Sequence, residues 1–291
     1  MDLLAKFEAV EVKSDNRISE DDRQFCAKQQ TAYESAVDSY AGLWRIWTAL
    51  QKTQRDTLGE RDRENRLYHN YLSERDGAKL EEDDVFDHIE NLHEDFIHTI
   101  VEYFRHTYCV CFDSHRIVRS ICPRRSDSET PHTEKVTYQS VLEAMLKEMD
   151  GRSFPEFAVY QVKHACNKAV WESMGEPSFE RKRDTIRLSG DFCTNRNRVS
   201  YCDYTEWSST KSMDAVLAAM ALYESGDVTV KPYGMSQLME GKGVTDNLIE
   251  FPQCEKVIQM RMFKNGRVDV KFASTEYAEE FAEEYLGAAV C

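Results

Sequence analysis

Cys109, Cys111, His115 and Cys122 bring three thiols and an imidazole into one short stretch of chain, with His132 and Cys166 as more distant additions. Thiolate and neutral imidazole are the donors that a tetrahedral zinc ion takes. The spacing argues against zinc: there is one C-x-C, no C-x-x-C knuckle and no paired Cys/His unit downstream. The thiols therefore read as free cysteines, several of them small core residues. Asp269-Val270-Lys271 has the spacing of the acid-x-lysine element of metal-dependent nucleases, in which Mg²⁺ polarises phosphate and lysine supports the attacking water. No upstream acid stands in a distinctive pattern to complete that centre. Glu94, His98, Glu102 and His106, each four residues apart, share a helix face, but there is no H-E-x-x-H motif. That face lies opposite the helix's apolar stripe, so the four read as solvent-facing Glu–His pairs. The chain also carries no P-loop, no G-x-G-x-x-G after a strand and no G-x-S-x-G elbow. The expectation is a non-enzymatic protein without a cofactor. The alternatives are zinc on the Cys/His set and a Mg-dependent nuclease on Asp269 and Lys271.

A formal charge of −15 disfavours a surface that wraps nucleic acid. The charge is unevenly placed, however. Glu81 to Glu102 holds nine acids and no lysine or arginine, and Glu276 to Glu284 holds five acids and no base. Between these runs lie Arg105, Arg116, Arg119, Arg124 and Arg125, with Asp113 as the only acid. A second base-leaning region holds Arg181, Lys182, Arg183, Arg187, Arg196 and Arg198. Any nucleic-acid contact is therefore expected to be local and salt-sensitive, on Arg116, Arg119, Arg124 and Arg125 or on Arg187, Arg196 and Arg198. Tyr108, Phe112, Phe192, Tyr201 and Tyr204 are nearby for base stacking. The acids of 81–102 read as a solvated helix face, with capture of a basic protein partner as the alternative. The first residues contain no long apolar run and no later stretch approaches a membrane span, which together with the odd count of nine cysteines points to a reduced, cytoplasmic protein.

These residues need elements to hold them. Phe25, Tyr33, Val37, Tyr40, Leu43, Trp44, Trp47 and Leu50 recur at three- and four-residue steps between Ile18 and Leu58, as on one broad helix face. Ser19 followed by Asp22 is a fitting start. Glu60 to Glu74 is charged and ends at Asp76-Gly77, which makes residues 1–80 a long helix or helical hairpin. A second helix is expected from Asp84 to Tyr108, with a core stripe of Ile89, Leu92, Phe96, Ile100 and Phe104. Pro123 and Arg124 to Thr133 read as a loop, followed by helices near Tyr138 to Met149 and Pro155 to Met174. Residues 81–175 then form a helical core region, with a boundary near Gly175. Beyond it, Thr185 to Leu188, Val199 to Tyr204 and Val228 to Val230 have strand character. Met213 to Tyr223 and Thr275 to Leu286, capped by Ser274, have helical character. The fold class is α+β: a helix-rich N-terminal region, then residues 176–291 with a mixed sheet, a hairpin and a closing helix.

The hairpin can be read in register. A two-residue Asn265-Gly266 turn pairs Phe263 with Val268 and puts Asp269 and Lys271 opposite the face of Ile258, Met260 and Met262. A three-residue Lys264-Asn265-Gly266 loop pairs Met262 with Val268 and Met260 with Val270, aligning both apolar faces and placing Arg261 opposite Asp269. Gly266 then takes the left-handed bulge position of such loops.

The segment Met262-Phe263-Lys264-Asn265-Gly266-Arg267-Val268-Asp269-Val270-Lys271-Phe272, followed by an acidic aromatic helix, resembles the end of a family of uncharacterised bacterial, plasmid and phage-associated domains. In that family the segment runs as phenylalanine, a basic residue, Asn-Gly and a short amphipathic strand. The looser arrangement of Tyr138 to Met149 and of Ser189-Gly190-Asp191 through Asn197 extends the likeness over Glu90 to Leu286. Some members lie beside, or are fused to, DNA-modifying or DNA-binding modules. The resemblance implies an accessory or regulatory protein of a mobile-element or DNA-modification system, acting through a protein partner, nucleic acid or both. It brings no catalytic motif.

Overall fold

The structure, a computed structural model, describes residues 17–58, 82–122, 135–171, 177–198 and 204–287. The described residues cluster into two compact units. One comprises those of Met1–Thr107 and Phe112–Gly151, the other Tyr108–Cys111 with those of Arg152–Cys291.

The first unit is helical: α1 (Glu20–Leu58), α2 (Glu82–Tyr108, entering the second unit at its last residue), α3 (Ser114–Ile121) and α4 (Tyr138–Glu148). The start of α1 is a reciprocal capping box. The Ser19 N–H donates to Asp22 Oδ2 at 2.9 Å, and the Asp22 N–H donates to Ser19 Oγ at 3.1 Å. Asp22 is itself buried, and its other oxygen accepts from the Tyr103 hydroxyl at 2.9 Å, while Phe25 stacks on the Tyr103 ring. The start of α1 is thereby fixed to α2. Farther on, Tyr33 stacks on Phe96, and Val37 one turn later is buried. The core face of α2 is broader than its expected stripe. Val85, His93, Ile97 and Val101 are buried with Ile89, Phe96, Ile100 and Phe104, whereas Leu92 is half-buried.

The Tyr33 hydroxyl accepts from the Val136 N–H at 2.9 Å and shares a hydrogen bond with His93 Nδ1, 2.6 Å away, whose direction is set by the imidazole tautomer. Gln30 fixes the same approach to α4, donating to the Val136 carbonyl at 2.9 Å and accepting from the Tyr138 N–H at 2.7 Å.

The second unit places α5 (Phe154–Trp171), α6 (Lys211–Ser225), α7 (Tyr233–Met239) and α8 (Thr275–Tyr285) with seven strands. These are β1 (Phe179–Lys182), β2 (Thr185–Leu188), β3 (Cys193–Arg198), β4 (Tyr204–Ser209), β5 (Leu248–Glu250), β6 (Val257–Met262) and β7 (Val268–Phe272). The main sheet has the order β1-β2-β7-β6-β5, and β3-β4 form a separate ribbon. Every pairing among the described residues is antiparallel, so the mixture in this part is of helix and strand rather than of strand direction. Ile186, Leu188, Met260, Met262, Val268, Val270 and Phe272 share one buried core with Met213 to Tyr223 and with Phe281 and Tyr285. The α+β class expected from the sequence is the class observed.

Two local expectations are corrected. Val228 to Val230 is a turn rather than a strand, because the Asp227 carboxylate accepts from the Thr229 N–H at 2.8 Å and closes the chain on itself. In β6 a bulge lies between Val257 and Gln259, so Val257 takes the core position opposite Phe272 and Ile258 is only half-buried. Gly175, His132, Tyr201 and the segment from Glu60 to Gly77 lie outside the described residues.

Candidate interaction surfaces

The register of the hairpin follows the three-residue loop. Met262 faces Val268, Arg261 faces Asp269 and Met260 faces Val270, while the Phe263 N–H donates to the Arg267 carbonyl at 2.9 Å. Gly266 has φ +81°, and its carbonyl accepts from the N–H groups of Phe192 and Cys193 at 3.0 and 3.2 Å. A Cβ at Gly266 would stand 2.5 Å from the Gly190 carbonyl oxygen. The turn is thus seated on the chain that leads into β3. The Cys193 thiol, buried beneath it, lies 3.4 and 3.5 Å from the carbonyls of Phe263 and Arg267. Asn265 and Gly266 hold a structural joint.

Asp269 sits among cations. Its Oδ1 is 3.4 Å from Arg187 Nε and 3.2 Å from Arg267 Nε, and the Arg267 guanidinium also covers the Phe263 ring at 3.7 Å. The expected partner Arg261 stands opposite in register, yet the described ion pairs of Asp269 run to Arg187 and Arg267. Lys271 faces Asp184 at 4.0 Å. The acid and the lysine that a nuclease would use each have a protein counter-ion here.

The thiols proposed for zinc are dispersed. Cys109 and Cys111 fall in the second unit, exposed just after α2, with Cys109 in the left-handed region at φ +55°, and the Cys111 backbone is held by the Gln161 side chain. His115 and Cys122 belong to the first unit, at the two ends of α3. The His115 ring meets His98 edge-on at 5.5 Å, and burial first, then Glu94 and Glu90, raises the Cys122 thiol above its ordinary pKa. On α2, Glu102 lies 3.6 Å from His106 and 3.0 Å from Arg105, both exposed. Among the described residues, no three Cys, His, Asp or Glu side chains gather in a way that would hold an ion.

Of the arginines expected to meet nucleic acid, Arg116 and Arg119 are exposed on α3. Arg116 is 3.7 Å from Glu148, and Arg119 donates to the His115 carbonyl. Arg187 is engaged by Glu180 and Asp269 on the sheet. Arg196 stands directly across the β3-β4 ribbon from Glu206. Arg198 ends β3, its side chain outside the described set, as are Arg124 and Arg125. These bases do not form one described patch.

The surface that sequence periodicity missed is on α1. Leu43 and Leu50, expected on its buried face, are 56% and 49% exposed, and Ile46 is 61% exposed. The core face runs instead through Tyr33 and Val37 towards half-buried Trp44 and Trp47. Residues 39–54 carry only Arg45 and Lys52 as charges. A stretch apolar on nearly every side gives periodicity no single face to choose. No family model, no curated protein and no solved structure matches the chain.

Proposed function

We propose that this chain is a non-enzymatic accessory or regulatory protein that binds a protein chain through the solvent-facing apolar side of α1. The observation that carries the reading is the exposed row Leu43, Ile46 and Leu50, three large aliphatics at helical spacing. Burying such side chains is worth about 1.5–3 kcal/mol each, so a contiguous exposed row favours contact with another surface. A cytoplasmic, reducing location belongs to the proposal. It is supported by free thiols at all seven described cysteines and by the absence, among the described residues, of a helix long and apolar enough to cross a membrane. The mobile-element or DNA-modification setting rests on the segment Met262 to Phe272 alone.

A photo-crosslinking amino acid placed at position 46, with position 45 as the control on the charged side, tests the reading in the producing cells. An adduct with a defined protein chain at 46 and none at 45 is expected. No adduct at 46, or equal adducts at both positions, overturns it. A local nucleic-acid contact is a second reading, supported by the exposed Arg116 and Arg119 on α3.

A further inference from the structure

We infer that the partner of the α1 surface is a second copy of this chain, joined along α1 in an isologous helix pair. The inference rests on the protein-binding reading above and names its occupant.

Positions 32, 36, 39, 43, 46, 50, 53 and 57 alternate steps of four and three, the 3.5-residue period of a helix that pairs with another helix. They are Ala32, Ala36, Ser39, Leu43, Ile46, Leu50, Thr53 and Thr57. None is charged, and all but half-buried Ala36 are exposed. The hydroxyls of this seam are already satisfied. Ser39 donates to the Ser35 carbonyl at 2.7 Å, Thr53 to Ala49 at 2.9 Å and Thr57 to Thr53 at 2.8 Å. The seam can therefore lose its water without leaving a hydroxyl donor unpaired, which is the usual cost of burying such groups.

Shape and charge argue for a second copy. Beside the ridge of Leu43, Ile46 and Leu50 runs a row of small residues, Ser35, Gly42 and Ala49, seven apart. Around a two-fold axis the ridge of one copy fits the furrow of the other, and the same contacts are made twice. Nothing lies within 4 Å of where a Cβ on Gly42 would be, so the furrow is open. Asp38, Arg45 and Lys52, also seven apart, stand on the far edge of the furrow from the ridge. The positions bordering the seam hold Tyr40, Trp47, Gln54, Gly42 and Ala49, with Asp56 the only charge near its end. In paired helices these flanks carry the charges that select or reject partners. Here they offer almost nothing to reject a like copy, on a protein whose overall charge of −15 would keep copies apart at most other places.

Sedimentation velocity of the purified full chain over a wide concentration range is the test, on wild type, Ile46→Glu and Gly42→Leu. Gly42→Leu fills the furrow while favouring the helix, so its effect cannot be mistaken for unfolding, and far-UV circular dichroism checks both variants. Wild type is expected to move from one chain mass towards two as concentration rises, with both variants staying at one. Wild type at one chain mass throughout, or either variant dimerising as wild type does, overturns the inference. A monomeric wild type with a foreign chain crosslinked at position 46 removes self-pairing and leaves the binding reading. A monomer with no crosslink removes both.

Discussion

The side-chain amide of Gln161 takes both backbone groups of Cys111: Nε2 donates to the carbonyl at 2.5 Å, and Oε1 accepts from the N–H at 2.8 Å. Gln30 does the same across the approach to α4, with the carbonyl of Val136 and the N–H of Tyr138. In each case a glutamine amide satisfies backbone groups in, or just after, a segment that lies outside the described helices and strands. Gln161→Leu should cost about 1–3 kcal/mol, the penalty of leaving those groups unpaired. Cys111→Ser should cost much less, because the contact is to backbone and the thiol is exposed. Urea unfolding of the two variants checks this. Equal losses would mean that the thiol matters as much as the latch.

At the hairpin, Gly266→Ala is expected to be costly on two counts. The left-handed backbone costs a side-chain-bearing residue roughly 1–2 kcal/mol. The added Cβ would also meet the Gly190 carbonyl at 2.5 Å, a backbone atom that moves only with the chain leading into β3. Asn265→Ala, at an exposed position, removes only the Oδ1 that accepts from the Arg267 N–H at 3.4 Å and should cost much less than Gly266→Ala. Denaturant midpoints for the two variants give the comparison, and similar midpoints would contradict the docked turn.

That joint shows what the sequence makes legible. Strand alternation around Lys264-Asn265-Gly266 sets the hairpin register because only one pairing puts Met260, Met262, Val268 and Val270 on the same side. Ser19, Ser274 and the ends of β2 are legible for a similar local reason: caps and alternation involve neighbours within four residues. What stays hidden depends on distant chain. The partners of Asp269 come from β2 and from the loop side of β7, and the bulge at Ile258 is a feature of the pairing of β6 with β7. Leu43 and Trp44 are adjacent and both apolar, so no pattern within α1 decides which one faces solvent; the packing of Tyr33 on Phe96 of α2 does.

Arg187 and Arg119 should separate stability from binding. Arg187 is part of the sheet's ionic network, so Arg187→Glu would set a new carboxylate against Asp269 and Glu180 and lower the melting temperature. Arg119→Glu, on the exposed face of α3, should leave the melting temperature within error. If nucleic acid is bound there, Arg119→Glu weakens fluorescence titrations on single- and double-stranded DNA at low salt and less so at physiological salt. Unchanged binding for Arg119→Glu and Arg116→Glu, or no binding at low salt, removes the nucleic-acid reading.

Stability should fall on the alkaline side because of buried thiols. Burial pushes the thiols of Cys26 and Cys166 up to about 12 and that of Cys254 up to about 11, and it moves the Tyr33 phenol up to about 12. In the unfolded chain the thiols ionise near their ordinary value, about 8.5. Between that value and the raised ones the folded chain holds protons that the unfolded chain has lost, so ionisation favours unfolding as pH rises. The stabilisation from keeping these groups neutral is complete below the ordinary thiol value and is lost as pH climbs towards 12. Urea midpoints should be flat near neutrality and decline from about pH 9 upward, with Tyr33 adding to the slope above the ordinary tyrosine value of about 10. Cys166→Ala should lower the neutral midpoint by leaving a small void, yet flatten the alkaline decline because one of the ionising groups is gone. An alkaline slope unchanged in Cys166→Ala would show that the proton loss driving unfolding comes from elsewhere.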